Sequence, residues 1–107
     1  MSKKLVEIIN EVQSSGERAA LVTIVDTRGS TPRKAGSKML VMPDGRIFGT
    51  IGGGCAEADV KIQALQALDD NQTRLYRVDM LNDTAAQEGM VCGGIADVFI
   101  QIIGKNN

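Results

Sequence analysis

The most unusual stretch of the sequence is a run of three glycines, Gly52, Gly53 and Gly54, directly before Cys55. Where such a run opens a helix, its unobstructed backbone N–H groups and the helix dipole form a site for an anion such as phosphate. The same dipole would stabilise the thiolate of Cys55 and raise its reactivity. Two plainer interpretations stay open, a tight strand-to-helix turn and a buried, inert thiol. Glu57 is either an acid favoured in a first helical turn or a hydrogen-bond acceptor for a ligand.

A second thiol stands beside paired glycines, in Cys92, Gly93 and Gly94, just ahead of an apolar run. Its plainer interpretation is a loop residue before a strand. The repeated thiol-and-glycine arrangement favours a functional role, because two such coincidences are less expected than one. We expect both cysteines to be reduced, since a helix-containing domain of this size without an export signal rarely forms a disulfide.

Cations and hydroxyls are concentrated in "RGSTPRKAGS", residues 28–37. Arginine grips an oxyanion through two N–H groups, and a serine or threonine hydroxyl adds a further donor. The candidates for such contacts are Ser30, Thr31, Arg33 and Lys34. A solvated charge cluster is the alternative, and it is preferred unless this loop lies near the glycine turn.

Several common chemistries are excluded by residue types and spacing. The sequence contains no histidine, which removes Ser-His-Asp and Cys-His catalysis and zinc sites built on imidazole. Two cysteines without a CxxC pair fall short of a structural zinc site. Gly49 and Gly54 have the P-loop separation, but Cys55 stands where the P-loop lysine belongs. The GxGxxG spacing of a dinucleotide-binding turn is also missing.

Length and charge set the broad class of the protein. The sequence has 107 residues, 43% of them hydrophobic and 23% charged, which predicts one globular domain. Its net charge of −1 argues against nucleic acid or an anionic membrane surface as a partner. Because no apolar run is long enough to cross a membrane and the N-terminus does not resemble a signal peptide, we expect a cytoplasmic protein.

Hydrophobic periodicity predicts two helices, at residues 2–15 and about 55–70. The apolar face of the first helix is expected to contain Leu5, Ile8, Ile9 and Val12. The apolar face of the second is expected to contain Ala58, Ile62, Leu65 and Leu68. Gly16 suits the end of the first helix.

Five β-strands are predicted from short apolar runs and the turn residues between them. They are expected at residues 19–27, 38–42, 46–51, 73–80 and 95–103. The first is apolar enough to be buried on both faces, and "PDG" predicts a hairpin turn between the second and third. We therefore predict an α/β (α+β) fold, a single mixed β-sheet of about five strands packed with two helices. The segments 28–37, 49–55 and 81–94 form one site if the sheet brings their ends together.

Three stretches, "RGSTPRKAGSKMLV", "DGRIFGTIGGGCAEADV" and "CGGIADVFI", together resemble the N-terminal domain of the XdhC/CoxI family over about residues 19–103. Members are accessory factors for molybdenum hydroxylases such as xanthine dehydrogenase and carbon monoxide dehydrogenase. The resemblance implies that the chain binds the molybdenum cofactor (molybdopterin) transiently, supports addition of its terminal sulfur ligand and passes it to the apo-enzyme. The chain would then be a cofactor carrier rather than an enzyme.

The resemblance also implies the residues of the site. The family's Ser-Thr-Pro-Arg loop matches residues 30–33, its glycine-cysteine turn matches residues 52–55 with Glu57, and its Cys-Gly-Gly motif matches residues 92–94. The loop and the glycines would hold the cofactor's phosphate. Cys55, with Cys92 beside it, would face the molybdenum or carry sulfur.

Typical members continue into a C-terminal Rossmann-like domain, whereas this sequence ends at Asn107. We therefore expect residues 1–107 to be one XdhC/CoxI-like N-terminal domain, with any function of the Rossmann-like domain either absent or supplied by a separate polypeptide. A molybdenum hydroxylase apo-enzyme is the expected partner, and a cysteine desulfurase and a second copy of the chain remain open. One alternative is a cofactor-free module that bridges the hydroxylase to a sulfurtransferase or a Rossmann-domain protein. Another is a thiol enzyme using Cys55, for which no evident base is present.

Overall fold

The computed structural model describes residues 3–29, 34–51, 57–79 and 94–104. These residues form two helices and one five-stranded sheet, which confirms the predicted α+β fold. In chain order the elements are α1 (Lys3–Ser15), β1 (Arg18–Arg28), β2 (Lys38–Val41), β3 (Ile47–Gly49), α2 (Glu57–Asp70), β4 (Arg74–Asp79) and β5 (Ile95–Gly104). The strand order is β3-β2-β1-β5-β4, so β1 lies at the centre of the sheet.

Strand pairing differs from the mixed sheet expected from the sequence. All four pairings among the described residues are antiparallel. Strands β2 and β3 are joined by a tight hairpin, which forces opposite directions. The connection through α2 carries the chain from β3 to β4, which run in the same direction. They lie at opposite edges of the sheet and therefore do not pair.

Helix α1 packs on one face of the sheet with the apolar side predicted from its periodicity. Leu5 and Val12 are buried, and Ile8 and Ile9 are partly buried against the same cluster. The helix is followed by Gly16 with φ 80°, a left-handed conformation that glycine adopts without a steric penalty. The predicted helix end is thus confirmed.

Helix α2 packs on the other face of the sheet. Successive side chains of a strand point to opposite faces. Ala20 and Val22 of β1 accordingly belong to the buried cluster that contains the α2 residues, and Ala19 belongs to the cluster that contains the α1 residues. The buried residues of α2 are Val60, Ala64, Ala67 and Leu68. The predicted apolar face was therefore wrong for two of its four members.

The two misplaced residues are Ala58, which is exposed, and Ile62, whose exposed fraction is 55%. Leu65 is partly buried, and Leu68 is buried as expected. The stripe that meets the sheet runs through Ala64 and Ala67, whose small side chains let the helix axis lie close to the strands.

Strand β1 is buried on both faces only in its first half. Ala19 and Ala20 are inaccessible, whereas Val25 is 48% exposed. Helix α1 is too short to cover the second half, and the pairing with β5 shifts register between Ile24 and Asp26. The extra residue of this β-bulge is Val25. The prediction of two-sided burial therefore holds for only part of the strand.

The "PDG" hairpin between β2 and β3 is confirmed. The Gly45 N–H donates to the Met42 carbonyl at 2.9 Å, and Gly45 has φ 92°. Met39 and Met42 are buried core residues, as expected of methionine in an apolar cluster.

Candidate functional site

The strand ends that flank the unusual segments lie at one end of the sheet. Arg28 and Asp79 both pair with Ile95, so β1 ends, β4 ends and β5 begins side by side. Met39 pairs with Gly49, so β2 begins where β3 ends. Because neighbouring strands are antiparallel, all five of these strand ends point the same way. We call this end of the sheet the loop edge.

The loop edge is stepped. Lys38 at the start of β2 pairs with Thr23, which precedes Arg28 by five residues on β1. Strands β1, β5 and β4 therefore project beyond β2 and β3 by roughly 15 Å, taking about 3.3 Å per residue.

Nine of the predicted site residues lie outside the described residues: Ser30, Thr31, Arg33, Gly52, Gly53, Gly54, Cys55, Cys92 and Gly93. Three lie within them, namely Lys34, Glu57 and Gly94. The described residues on either side of those nine lie at the strand ends of the loop edge, within a few residues of them, or at the start of α2. The ends of the three segments therefore lie on the same edge of the sheet, at the two levels of the step.

Glu57 begins α2 and is half-buried. Its carboxylate accepts a hydrogen bond from the hydroxyl of Thr50, the residue that follows β3. Helix α2 thus starts at the foot of the step, with its positive N-terminal end directed toward the loop edge. Sequence reasoning did not select Thr50, because a single threonine before a glycine run carries no motif of its own.

Asp59, the second acid in the first turn of α2, has a structural role. It accepts a hydrogen bond from the Tyr76 hydroxyl at 2.8 Å, which ties α2 to the edge strand β4. Of the two acids, Glu57 is the one bonded to the residue that follows β3.

Lys34 is exposed in a turn that is bonded to the centre of the sheet. The Ser37 N–H donates to the Lys34 carbonyl at 3.2 Å, and Gly36 in this turn has φ 95°. The turn is attached to β1 through two further backbone bonds, from Gly36 N to Ile24 O at 2.7 Å and from Ile24 N to Ser37 O at 2.9 Å. A fixed turn therefore presents this cation at the step.

Gly94 is buried immediately before β5. The next residue, Ile95, is paired on both sides, to Arg28 and to Asp79.

Ion pairs form on the projecting strands β1, β4 and β5. Arg77 Nε lies 2.9 Å from Asp97 Oδ1, and its Nη2 lies 3.4 Å from Oδ2, so the pair is bidentate. The hydrogen bond from Arg77 lowers the pKa of Asp97, and the charges of Arg77 and Arg28 add to this effect against desolvation. The same hydrogen bond raises the pKa of Arg77. A second ion pair lies on the neighbouring strand β1, where Arg28 Nε is 3.7 Å from Asp26 Oδ2.

The chemical character of the loop edge follows from the donors that it offers. Across the described ranges, no group of three or more Asp, Glu, His or Cys residues is arranged to hold a metal ion. The described donors at the loop edge include the exposed ammonium group of Lys34, the guanidinium group of Arg28 and the start of α2, which suit an anionic group. Neither of the two described helices is long and apolar enough to cross a membrane.

Curated proteins similar to this chain include two from Escherichia coli (strain K12). The chain is 47% identical over 85 residues to the uncharacterized protein YqeB, covering 79% of this chain and 16% of that protein. It is 40% identical over 67 residues to the molybdenum cofactor insertion chaperone PaoD, covering 63% of this chain and 21% of that protein.

A third relative comes from Bacillus subtilis (strain 168). This protein, a probable xanthine dehydrogenase subunit, is 42% identical over 90 residues, covering 81% of this chain and 27% of that protein. The matches to these three relatives thus span between 16% and 27% of their lengths.

The fold also has a match among solved structures. The crystal structure of a xanthine dehydrogenase from Bacillus halodurans superposes with a TM-score of 0.72 at 24% identity, covering 91% of this chain and 30% of that one. At this identity the likeness concerns the fold alone. The model of the XdhC and CoxI family matches residues 12–79. On this match and the relatives above, the chain belongs to the XdhC and CoxI family.

Proposed function

We propose that this chain is the cofactor-binding part of an accessory factor for a molybdenum hydroxylase, working in the cytoplasm. It binds the molybdenum cofactor at the step of the loop edge and supports its sulfuration and its insertion into a xanthine dehydrogenase-like apo-enzyme. The observation that carries the proposal is the convergence of five strand ends on one edge, where the three motif-bearing segments attach. The similarity to a protein named as a molybdenum cofactor insertion chaperone supports the choice of cofactor.

The residues proposed to hold the cofactor are Ser30, Thr31, Arg33, Lys34, Gly52, Gly53, Gly54, Glu57, Gly93 and Gly94. Of these, the loop residues 30–34 and the glycines 52–54 are proposed to hold its phosphate. The helix dipole of α2 and the exposed ammonium group of Lys34 supply the positive field that such a phosphate needs. Glycines allow the backbone to approach the phosphate closely. When bound, the cofactor supplies the metal centre of the partner enzyme, and this chain contributes binding and orientation.

The thiols Cys55 and Cys92 are proposed to face the metal end of the cofactor, with Cys55 as a metal ligand or sulfur carrier. A helix start favours the thiolate form of a cysteine, which is the form that ligates metals. Partners in this scheme are the apo-hydroxylase, a cysteine desulfurase and a separate Rossmann-domain protein, with a second copy of the chain as a further option.

A binding experiment with purified protein tests the proposal. We expect the wild type to bind the molybdenum cofactor, and Cys55→Ser and Arg33→Ala to bind it at least about tenfold more weakly, as for loss of a charge-assisted contact. Arg46→Ala is the matched control, because Arg46 pairs with Asp44 at the hairpin turn on the opposite end of the sheet. Unchanged binding in both site variants would remove this mechanism.

The cofactor-free bridging module makes a different prediction. A pull-down of the apo-hydroxylase with and without cofactor separates the two functions. Capture that is independent of the cofactor would favour the module, whereas the carrier requires the cofactor for productive transfer.

A further inference from the structure

The hydrogen bond from Thr50 to Glu57 joins two elements at the foot of the step. Thr50 follows the last residue of β3, and Glu57 is the first residue of α2. Both residues are half-buried. The bond therefore spans seven positions of the chain at the place where the proposed site begins.

The geometry of this contact is unlike a helix cap. A capping threonine accepts a hydrogen bond from a backbone N–H group in the first turn of the helix. Here the threonine hydroxyl donates, and a side-chain carboxylate accepts. The contact satisfies no backbone group of α2, so its main effect is to fix the direction of the Glu57 side chain.

We propose that Thr50 is a positioning residue that orients Glu57 for the ligand. The inference rests on the proposed function and deepens it, because it gives the half-buried acid at the start of α2 a task. A carboxylate accepts through two oxygens, so Oε2 held by Thr50 leaves Oε1 to accept from a donor. The donor chemistry that suits it is a ring or exocyclic N–H group, such as those of a pterin. Lys34 and the start of α2 would then take the phosphate, and Glu57 the pterin.

Preorganisation is the physical reason for such a device. A glutamate that is ordered before binding loses less conformational entropy when the ligand arrives. Removing the Thr50 hydroxyl should therefore weaken binding without touching the ligand itself.

The test uses Thr50→Val, which keeps the shape and removes the hydroxyl, and Thr50→Ser, which restores the hydroxyl. Thr23→Val is the matched control, because Thr23 is a half-buried threonine whose hydroxyl contacts Lys38 Nζ at 3.5 Å rather than Glu57. The first readout needs no cofactor: three-bond NMR couplings of the Glu57 side chain report whether it occupies one rotamer. The second readout is the Kd for the molybdenum cofactor.

We expect one Glu57 rotamer in the wild type and Thr50→Ser, and rotamer averaging in Thr50→Val. We expect Thr50→Val to raise the Kd by up to about tenfold, as for the cost of ordering one flexible side chain on binding, with Thr50→Ser close to the wild type. Unchanged couplings or an unchanged Kd in Thr50→Val would overturn the positioning role while leaving the proposed function standing. An equal weakening in Thr23→Val would indicate a general loss of packing and would also overturn it. Failure of the wild type to bind the cofactor would instead overturn the proposed function, and the ligand contact with it.

Discussion

The phenolic oxygen of Tyr76 lies 2.8 Å from a carboxylate oxygen of Asp59, which joins the edge strand β4 to the first turn of α2. Glu57, two residues before Asp59, accepts a hydrogen bond from Thr50, the residue that follows β3. The start of α2 is thus held from two directions by its two acids.

The Tyr76–Asp59 contact predicts that Tyr76 titrates with a raised pKa. The hydrogen bond to Asp59, followed by partial burial and the charge of Asp59, raises the pKa of Tyr76 above its ordinary value of about 10. Since Tyr76 is the single tyrosine, absorbance during an alkaline titration reports it directly. Asp59→Asn should shift the midpoint back toward the ordinary value.

The same shift sets the sign of a stability effect. Because the pKa of Tyr76 is raised in the folded state, the stabilisation is complete below the tyrosine pKa of the unfolded chain and is lost as the pH rises through that of the folded protein. A titration that does not respond to Asp59→Asn, or that responds equally to Asp69→Asn at the far end of α2, would contradict the contact.

The Arg77–Asp97 pair predicts a loss of stability in acid. The pKa of Asp97 is lowered, chiefly by the hydrogen bond from Arg77, so its contribution is present above the pKa of an aspartate in the unfolded chain. The contribution is lost as the pH falls through the lowered pKa of the folded protein. Urea unfolding between about pH 2 and 6 should show a shallower acid decline in Asp97→Asn and in Arg77→Met. A wild-type acid decline in both variants would rule out the pair as its source.

Gly104 is predicted to be intolerant of a side chain. It has φ 98°, and a Cβ there would lie 2.0 Å from the backbone oxygen of Glu17. Gly36, with φ 95° and nothing within 4 Å of the corresponding Cβ, is the matched control. Gly36→Ala should cost about 1–2 kcal/mol for the left-handed conformation alone. Gly104→Ala should cost more, because the backbone must also move, and equal free energies of unfolding in the two variants would contradict the clash.

The core under α2 is predicted to respond strongly to truncation. Ile100 is fully buried between β1 and β4, and Ile100→Ala should lower the free energy of unfolding by about 2–5 kcal/mol. Leu75→Ala on β4 is the control, since Leu75 is 69% exposed and its truncation should cost less than about 1 kcal/mol. Similar losses for the two variants in urea unfolding would mean that the face carrying Leu75 is covered in solution.

Sequence reasoning placed the helices and strands close to their observed positions. The first helix was expected at 2–15 and is described from Lys3 to Ser15, and the last strand was expected at 95–103 and runs from Ile95 to Gly104. Such agreement is understandable, because turn residues such as Gly16 and Gly45 act locally through their backbone dihedrals. The prediction was wrong for the buried face of α2, where the small residues Ala64 and Ala67, rather than Ile62, meet the sheet.

What the sequence determined by itself was the local structure and the set of chemical groups available, since periodicity, turn residues and family motifs are all written along the chain. The tertiary structure decided which of these groups meet. The pairing of Ile95 with both Arg28 and Asp79, and the bond from Thr50 to Glu57, depend on strand order and on which way α2 crosses the sheet. These contacts join residues that are distant in the sequence, and they form because the sheet buries an apolar surface on both of its faces. The local sequence around each residue does not predict its partner.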